Sequence, residues 1–503
     1  MRKPVSDTGR AVVVGGGFAG VLAAAALACR VREVVVVERD VYPQGPGPRR
    51  GVPQARHVHL LWSGGARALE ELVPGVTDDL LAAGARRVPL PRDMVALSPR
   101  GWFRRWPASH LLYLCSRDLL DWTIRRRVLA DPRIRVREGT EVLGLAGDAR
   151  RVTGVRLRAP SGEESLLTAD LVVDAGGRGS RAPVWLAALG AGRPRERRVD
   201  TGLVYASRVY RAPAGTEDFP VVNVQADPRA GTPGRAAVVA PVEGGRWLVT
   251  VGGTRGGEPT ADPEHFETFA AGARHGVVGA LARNAEPLSP VVLCRSTVNR
   301  RRYVERLRGR PRGFVVLGDA VAAYNPVYGH GMSVAAQGAL ALRRAVRAGR
   351  AGAPGTARRA QRGIARPVSV AWDLATGQDV FYPGAADRPP SLWERLLARA
   401  VDRLLYVSTG SGLVARVVTD VMTLERPPAV LLRPDVVWAL LRGPRLPQLS
   451  GPPLTAEEWA AAGVSGASAA DSAGAGATRA APPVPAPGGP AGTPGGTGAR
   501  GAP

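Results

Sequence analysis

The chain has 503 residues, with 68 Lys+Arg against 43 Asp+Glu and a formal charge of +25. That length predicts two to four domains with ample chain for a core, and the charge raises nucleic acid or an anionic membrane as a partner. The only lysine is Lys3, ahead of the first predicted strand, which excludes any mechanism needing a lysine in the folded body.

Residues 11–14 (Ala-Val-Val-Val) read as a buried strand. Gly15-Gly16-Gly17-Phe18-Ala19-Gly20 follow, and an Ala/Leu-rich stretch to Cys29 predicts a helix. Residues 34–37 form a second strand ending at Glu38, so a β-α-β unit opens a parallel sheet. The run from Ala11 to Cys29, behind Arg2 and Lys3, also mimics a secretory leader with a lipid-modified cysteine. The strand, glycine loop and helix explain it better. Residues 43–53 are a Pro/Gly/Arg loop. Helices are expected at 66–73 and 119–129, and paired strands near 134–145, 152–158 and 167–174.

From about 200 to 298 the texture changes. Short strands at 203–210, 221–225, 236–242 and 247–252 follow with no helix between them, the last two joined by a Glu243-Gly244-Gly245-Arg246 turn. They predict an antiparallel sheet and a second domain. A strand at 314–317 and a long helix at 331–348 restore the parallel texture. Residues 391–446 are helical. Leu392, Trp393, Leu396, Leu397, Ala400 and Leu404 make an apolar stripe there, with Arg395, Arg399 and Arg403 on another face. This predicts a solvated helix that covers the core. Gly410-Ser411-Gly412 copies part of the glycine pattern but reads as an interhelical loop. Residues 465–503 are Ala, Gly, Pro, Ser and Thr but for Asp471, Arg479, Val484 and Arg500, cannot bury a core, and are expected to be disordered. Cys29, Cys115 and Cys294 form neither a disulfide framework nor a metal pattern, which fits a reducing cytoplasm. No membrane span is expected, since no other run reaches about 18 apolar residues.

The chemistry starts at the glycine loop. Gly15 permits a tight turn, Gly17 lets the backbone approach a pyrophosphate, and Gly20 lets helix and strand pack closely. The phosphates would sit at the helix N-terminus, where free N–H groups and the dipole favour an anion. Glu38 ends the second strand, where a carboxylate accepts from ribose hydroxyls. The pattern favours an unphosphorylated ribose, as in FAD or NAD.

Residues 314–320 (Phe-Val-Val-Leu-Gly-Asp-Ala) are followed by Asn325-Pro326-Val327-Tyr328-Gly329-His330-Gly331-Met332-Ser333. A strand, Gly318-Asp319, and then Pro-x-x-Gly-x-Gly before a helix resembles the single-component FAD monooxygenases of the p-hydroxybenzoate hydroxylase type. The resemblance spans about residues 11–345. It implies an α/β fold (α+β overall): a Rossmann-like FAD domain, an inserted antiparallel-sheet substrate domain and a C-terminal helical region. The FAD domain would comprise residues 1–85, 111–190 and 299–348. The substrate domain would comprise 86–110 and 191–298, with helices at 349–450 and a tail at 451–503.

The resemblance also assigns residues. Asp319 would bind the FAD ribityl chain, and Gly331 and Met332 would face the anionic edge of the reduced flavin, where a helix N-terminus stabilises negative charge. Pro326 would lie near the flavin ring. Arg49 and Arg117 would lie against the phosphates or ribityl chain, since an arginine fork suits phosphate. Asp174-Ala175-Gly176-Gly177-Arg178 departs from the Asp-Gly motif of the hydroxylases. That departure, with Arg-Gly-Val-Pro-Gln-Ala-Arg-His-Val-His-Leu-Leu-Trp at 50–62, resembles actinobacterial polyether epoxidases. His57 and His59 cannot share one helix face and have no third ligand, so they are expected to pack near the flavin; no metal is expected. No catalytic side chain is required beyond the flavin, because the cofactor supplies the oxygen chemistry.

The function expected is an FAD-dependent monooxygenase that takes NAD(P)H transiently and epoxidises an alkene of a natural-product intermediate, with hydroxylation second. Three other readings stand beside it. A tryptophan-type halogenase is rejected for want of a lysine and of its Trp-x-Trp-x-Ile-Pro motif. An isoprenoid-type flavin reductase would turn over without O2, and a non-enzymatic flavin protein would not oxidise NAD(P)H. Nucleic acid is not expected as a partner, since aromatics are 5% and the arginines are spread throughout. A carrier-tethered substrate and a peripheral membrane contact through residues 391–406 both stay open.

Overall fold

The computed structural model describes residues 9–464. Lys3 and the segment expected to be disordered, 465–503, lie outside the described residues. The central sheet is parallel, in the order Phe314–Val316, Leu171–Asp174, Arg10–Val14, Glu33–Val37, Ile134–Arg137. Its inner strands are near-continuous valine, the pattern of strands buried on both faces. The helix Phe18–Ala28 is apolar all round and almost wholly buried. The run that mimics a leader peptide is thus the middle of the core.

The strands expected at 134–145 and 167–174 each divide between two sheets. Ile134–Arg137 joins the parallel sheet, while Glu141–Gly147 pairs antiparallel with Val152–Arg158. Glu164–Thr168 pairs with the other edge of Val152–Arg158, and Leu171–Asp174 crosses back to the parallel sheet.

A 24-residue helix, Thr356–Asp379, packs on Gly331–Arg347. Its fully buried Gln361 side chain accepts from Val316 N at 2.9 Å and donates to Val316 O at 3.1 Å. One amide thereby satisfies both outward backbone groups of Val316 on the sheet's edge strand.

The second large sheet has the order Glu286–Pro287, Val204–Arg211, Arg246–Gly253, Arg235–Val242, Val221–Val224, Met94–Ser98, Gly101–Trp102, with Val292–Cys294 also on Val204–Arg211. The predicted hairpin is present. Gly244 and Gly245 both take positive φ, 74° and 61°, within the three residues that separate the paired Val242 and Arg246. Two features differ from expectation. Short helices Phe266–Ala271 and Val277–Arg283 interrupt the strands and cover one face with Phe266, Ala270, Val277, Val278 and Leu281. Val221–Val224 also pairs parallel, with Met94–Ser98.

The C-terminal helices are Leu392–Ser408, Gly412–Met422 and Pro434–Arg442, with Gly410 between the first two as expected. Residues 451–464, expected as part of the tail, instead carry a helix, Ala456–Ala461, and bury Ala462 and Val464 against the large sheet. The apolar stripe does not cover the core. Leu392 and Trp393 are 73% and 72% exposed, and Leu396 and Leu397 are exposed as well. The inward face instead carries Glu394, Ala398, Val401, Asp402, Leu405 and Ser408, at helical spacing. Ion pairs dock it: Asp402 with Arg100 and Arg229, and Glu394 with Arg197 and Arg388. No helix among the described residues is long and apolar enough to cross a membrane.

Candidate functional site

The glycine loop leaves the C-terminal end of Arg10–Val14. Gly15 has φ +90°, and a Cβ there would lie 2.8 Å from Ala175 O. A Cβ on Gly20 would fall 1.8 Å from Gly15 O, so only glycine lets the helix start this close to the strand. A Cβ on Gly17 would meet nothing within 4 Å. Gly17 therefore borders open space beside the N-terminus of Phe18–Ala28, where unpaired N–H groups point outward.

Glu38 is buried. Its carboxylate accepts from Gly16 N at 2.6 Å and from Asp40 N at 2.9 Å. Arg49 reaches the same carboxylate at 2.8 Å and donates to Gly16 O at 3.1 Å, while its Nε is buried without a partner. Tyr42, which the sequence reading passed over, donates to Gly16 O at 2.9 Å and lies under both Arg49 and Arg125. Burial and the Glu38 charge push the Tyr42 hydroxyl up, so it stays a neutral donor. Arg117 lies on the neighbouring helix Arg117–Leu129, 5.5 Å over the Phe18 ring and 2.8 Å from Asp121. A pocket between these helices is lined by Gly16, Gly17, Phe18, Arg49, Asp121 and Arg125.

Gly318 takes φ +65°, and a Cβ there would lie 2.6 Å from Ala19 Cβ. That contact sets Asp319 beside the first helix. Asp319 Oδ1 would be 3.9 Å from a Cβ on Gly331, so Asp319 also faces the start of Gly331–Arg347, which has no side-chain cap. One third of the Asp319 side chain is exposed. Burial raises its pKa, and Arg178, Arg117 and Arg300 oppose that. Arg178 is 3.9 Å from Asp319 and is anchored on Val298 O and Tyr324 O. Sequence reasoning missed Arg178 and Arg300, because one arginine among 67 carries no signal.

Asp174 sits under the loop. It accepts from Gly176 N at 2.8 Å and Ser180 Oγ at 2.6 Å, and burial raises its pKa. The Asp-Ala-Gly-Gly departure is here a buried brace for the loop.

Pro326 begins a single turn, Pro326–Tyr328, capped by the Asn325 side chain. Segment 57–62 and the large sheet close around this turn. Trp62 Nε1 donates to Tyr328 O at 3.4 Å, and Tyr205 OH donates to Asn325 Oδ1 at 3.3 Å. Asp379, at the end of Thr356–Asp379, is 1% exposed and accepts from Tyr328 OH (2.7 Å), Asn299 (2.6 Å) and Asn325 (3.0 Å). Burial raises its pKa against these three donors.

His57 Nδ1 and Ser207 Oγ share a hydrogen bond of 2.7 Å, and Ser207 Oγ meets Thr250 Oγ1 at 2.6 Å. His57 Nε2 is buried without a partner, and burial pushes the ring down to about 4, so it is neutral at pH 7. His59 is pushed down to about 3 by burial and by Arg117, and its Nδ1 pairs with His57 O at 2.7 Å. Neither ring meets a carboxylate. The one His/Asp/Glu group close enough to hold an ion among the described residues is elsewhere, at His110, Asp420 and Glu425. Arg67 and Arg426 already attend those carboxylates.

The predicted residues thus fall into two connected groups. Gly15, Gly17, Gly20, Glu38, Arg49 and Arg117 surround the first helix start. Gly318, Asp319, Pro326, Gly331 and Met332 line the second, with His57 and His59 on the sheet side. The groups meet at Gly318 and Ala19.

Comparison with known proteins agrees with this architecture. The model of the FAD binding domain family matches residues 9–355. The Mycobacterium tuberculosis protein Rv3254 is 33% identical over 410 residues, covering 78% of this chain and 85% of its own. Kynurenine 3-monooxygenase of Salinispora arenicola is 36% identical over 177 residues, 33% of this chain and 36% of its own. Among solved structures, p-nitrophenol 4-monooxygenase PnpA of Pseudomonas putida superposes with a TM-score of 0.54 at 18% identity, over 88% of this chain and 99% of its own. With the site geometry, these findings make the chain a member of the FAD binding domain family.

Proposed function

We infer that this enzyme uses NAD(P)H and O2 to transfer one oxygen atom to an uncharged, unsaturated small molecule, and that epoxidation of an isolated alkene is its reaction. The residues present suit FAD. The open space at Gly17 and the orphaned Arg49 Nε answer to a pyrophosphate. Glu38 answers to ribose hydroxyls, Arg117 and Asp319 to the phosphate and ribityl region, and the uncapped start at Gly331 and Met332 to the anionic edge of the ring. When bound, FAD supplies the two-electron redox chemistry and the activation of O2. The protein's part is to orient the substrate and exclude water.

The observation that carries the choice of reaction is the His57–Ser207–Thr250 chain. It is the group on the sheet wall able to accept a proton, and burial keeps its imidazole a poor base. A phenol needs help losing its proton during hydroxylation; an alkene does not. The neutral wall also supports an uncharged substrate, because an unpaired carboxylate there would lack a counter-charge. A natural-product intermediate, free or carrier-tethered, fits this chemistry. Docking of NAD(P)H is transient, since one dinucleotide fold is present among the described residues.

The test uses the FAD-loaded enzyme with NADPH and paired substrates, an isolated alkene and a phenol. The expected result is O2-dependent epoxide formation, with His57→Gln changing kcat by no more than about twofold. Phenol hydroxylation that His57→Gln lowers at least tenfold would establish the hydroxylase reading instead. Saturation of the alkene without O2 would establish the reductase reading.

A further inference from the structure

The described residues include 17 exposed large hydrophobic side chains, and eleven of them fall between Leu392 and Leu446. That concentration marks one region as a contact surface. The most exposed are Leu432 (77%), Leu392 (73%), Trp393 (72%), Leu441 (71%) and Trp438 (56%). Side chains this free project from their helices and do not line a groove. Leu392, Leu396, Arg399 and Arg403 follow one another along a single helix face. Arg403 then donates to Leu440 O and Leu441 O. The stripe therefore runs onto the end of Pro434–Arg442, where Arg442 lies over the Trp438 ring.

The charges on the same helices are sorted. All eight arginines between 391 and 446 are exposed, whereas Asp435 alone of the five acids there is. The other four are occupied: Glu394 and Asp402 by arginines of the body, Asp420 by His110 and Glu425 by Arg67. What remains outward is leucine, tryptophan and arginine, apart from Asp435, which pairs with Arg433.

We propose that this face, built by Leu392–Ser408 and Pro434–Arg442, docks the enzyme on an anionic phospholipid surface. Tryptophan and leucine insert at the headgroup boundary, and arginines pair with lipid phosphates. Charge complementarity selects this occupant. A second copy would set exposed arginines against exposed arginines on a chain already at +25. The segment 465–503 contains one large apolar residue, Val484, so its composition offers no apolar face to match the ridge. A folded acidic protein would match the charge but would need pockets for five projecting side chains; a bilayer accepts them without pockets.

The experiment is co-flotation of the full-length, FAD-loaded enzyme with phosphatidylglycerol vesicles and with phosphatidylcholine vesicles, alongside sedimentation of the free protein. The expected result is binding to the anionic vesicles, at least tenfold weaker to the neutral ones and weaker in high salt. Trp393→Ser with Trp438→Ser, and Arg395→Gln with Arg399→Gln, each reduce it at least tenfold, while FAD content and NADPH oxidation stay unchanged. Flotation insensitive to these substitutions would overturn the proposal. So would a dimer that Trp393→Ser dissociates, or a salt-sensitive complex with an acidic carrier protein and none with vesicles.

Discussion

Gly17 separates cofactor binding from folding. Its φ of −75° suits any residue, and the protein leaves space for a side chain there. A valine at this position would meet only what binds in the loop. Gly17→Val is therefore expected to leave the melting temperature of the FAD-free protein unchanged and to weaken FAD binding at least tenfold, read by flavin fluorescence titration. Gly20→Ala, whose Cβ collides with Gly15 O, is expected to lower both. These glycines were legible in the sequence because their constraint is local: a turn, a close approach and a helix start within six residues. Tyr42, Arg178 and Asp379 were not. Each acts across the fold, on Gly16 O, Asp319 and Tyr328, and nothing adjacent to them in the chain announces those partners.

Among the elements, Thr356–Asp379 shows what periodicity hides. Pro367 interrupts it, and four arginines precede that proline within the first eleven residues. Even so, the helix covers Gly331–Arg347, seals the sheet edge and ends in Asp379. Gln361→Leu keeps the side-chain volume but strands a buried N–H and a buried C=O. The expected cost is about 2–4 kcal/mol, from two unsatisfied backbone groups, measured as a lower midpoint in urea at an unchanged slope. The helix at 391–406 taught the opposite lesson. Its apolar stripe was legible, but its direction was not, because Asp402 and Glu394 dock the other face through ion pairs with distant arginines.

On the scale of the molecule, the buried histidines set an acid limit. Burial depresses His57 and His330 to about 4 and His59 to about 3. The unfolded chain, near 6.5, binds the proton more readily than the folded one. Stability is therefore fully present above pH 6.5 and is lost as pH falls towards 4. Linkage gives a loss of about 2 kcal/mol per histidine by pH 5. The melting temperature is expected to drop between pH 7 and 5, and less steeply in His330→Gln. The parallel sheet, its glycine loop and the glycine-turned hairpin were all readable, since valine runs and paired glycines encode them locally. The division of 134–145 and 167–174 between two sheets was not, because the half of each that joins the parallel sheet pairs with a strand at a distance in the chain, Glu33–Val37 or Arg10–Val14.

The central claim is that this fold carries FAD to oxygenate a substrate. The direct measurement is turnover of the purified, FAD-loaded enzyme with NADPH and an isolated alkene under isotopically labelled O2, with product analysed by mass spectrometry. The account predicts a yellow protein and one labelled oxygen atom per product molecule, with none formed when O2 is withheld. A colourless protein that fails to take up added FAD, or a product whose oxygen comes from water, would contradict it.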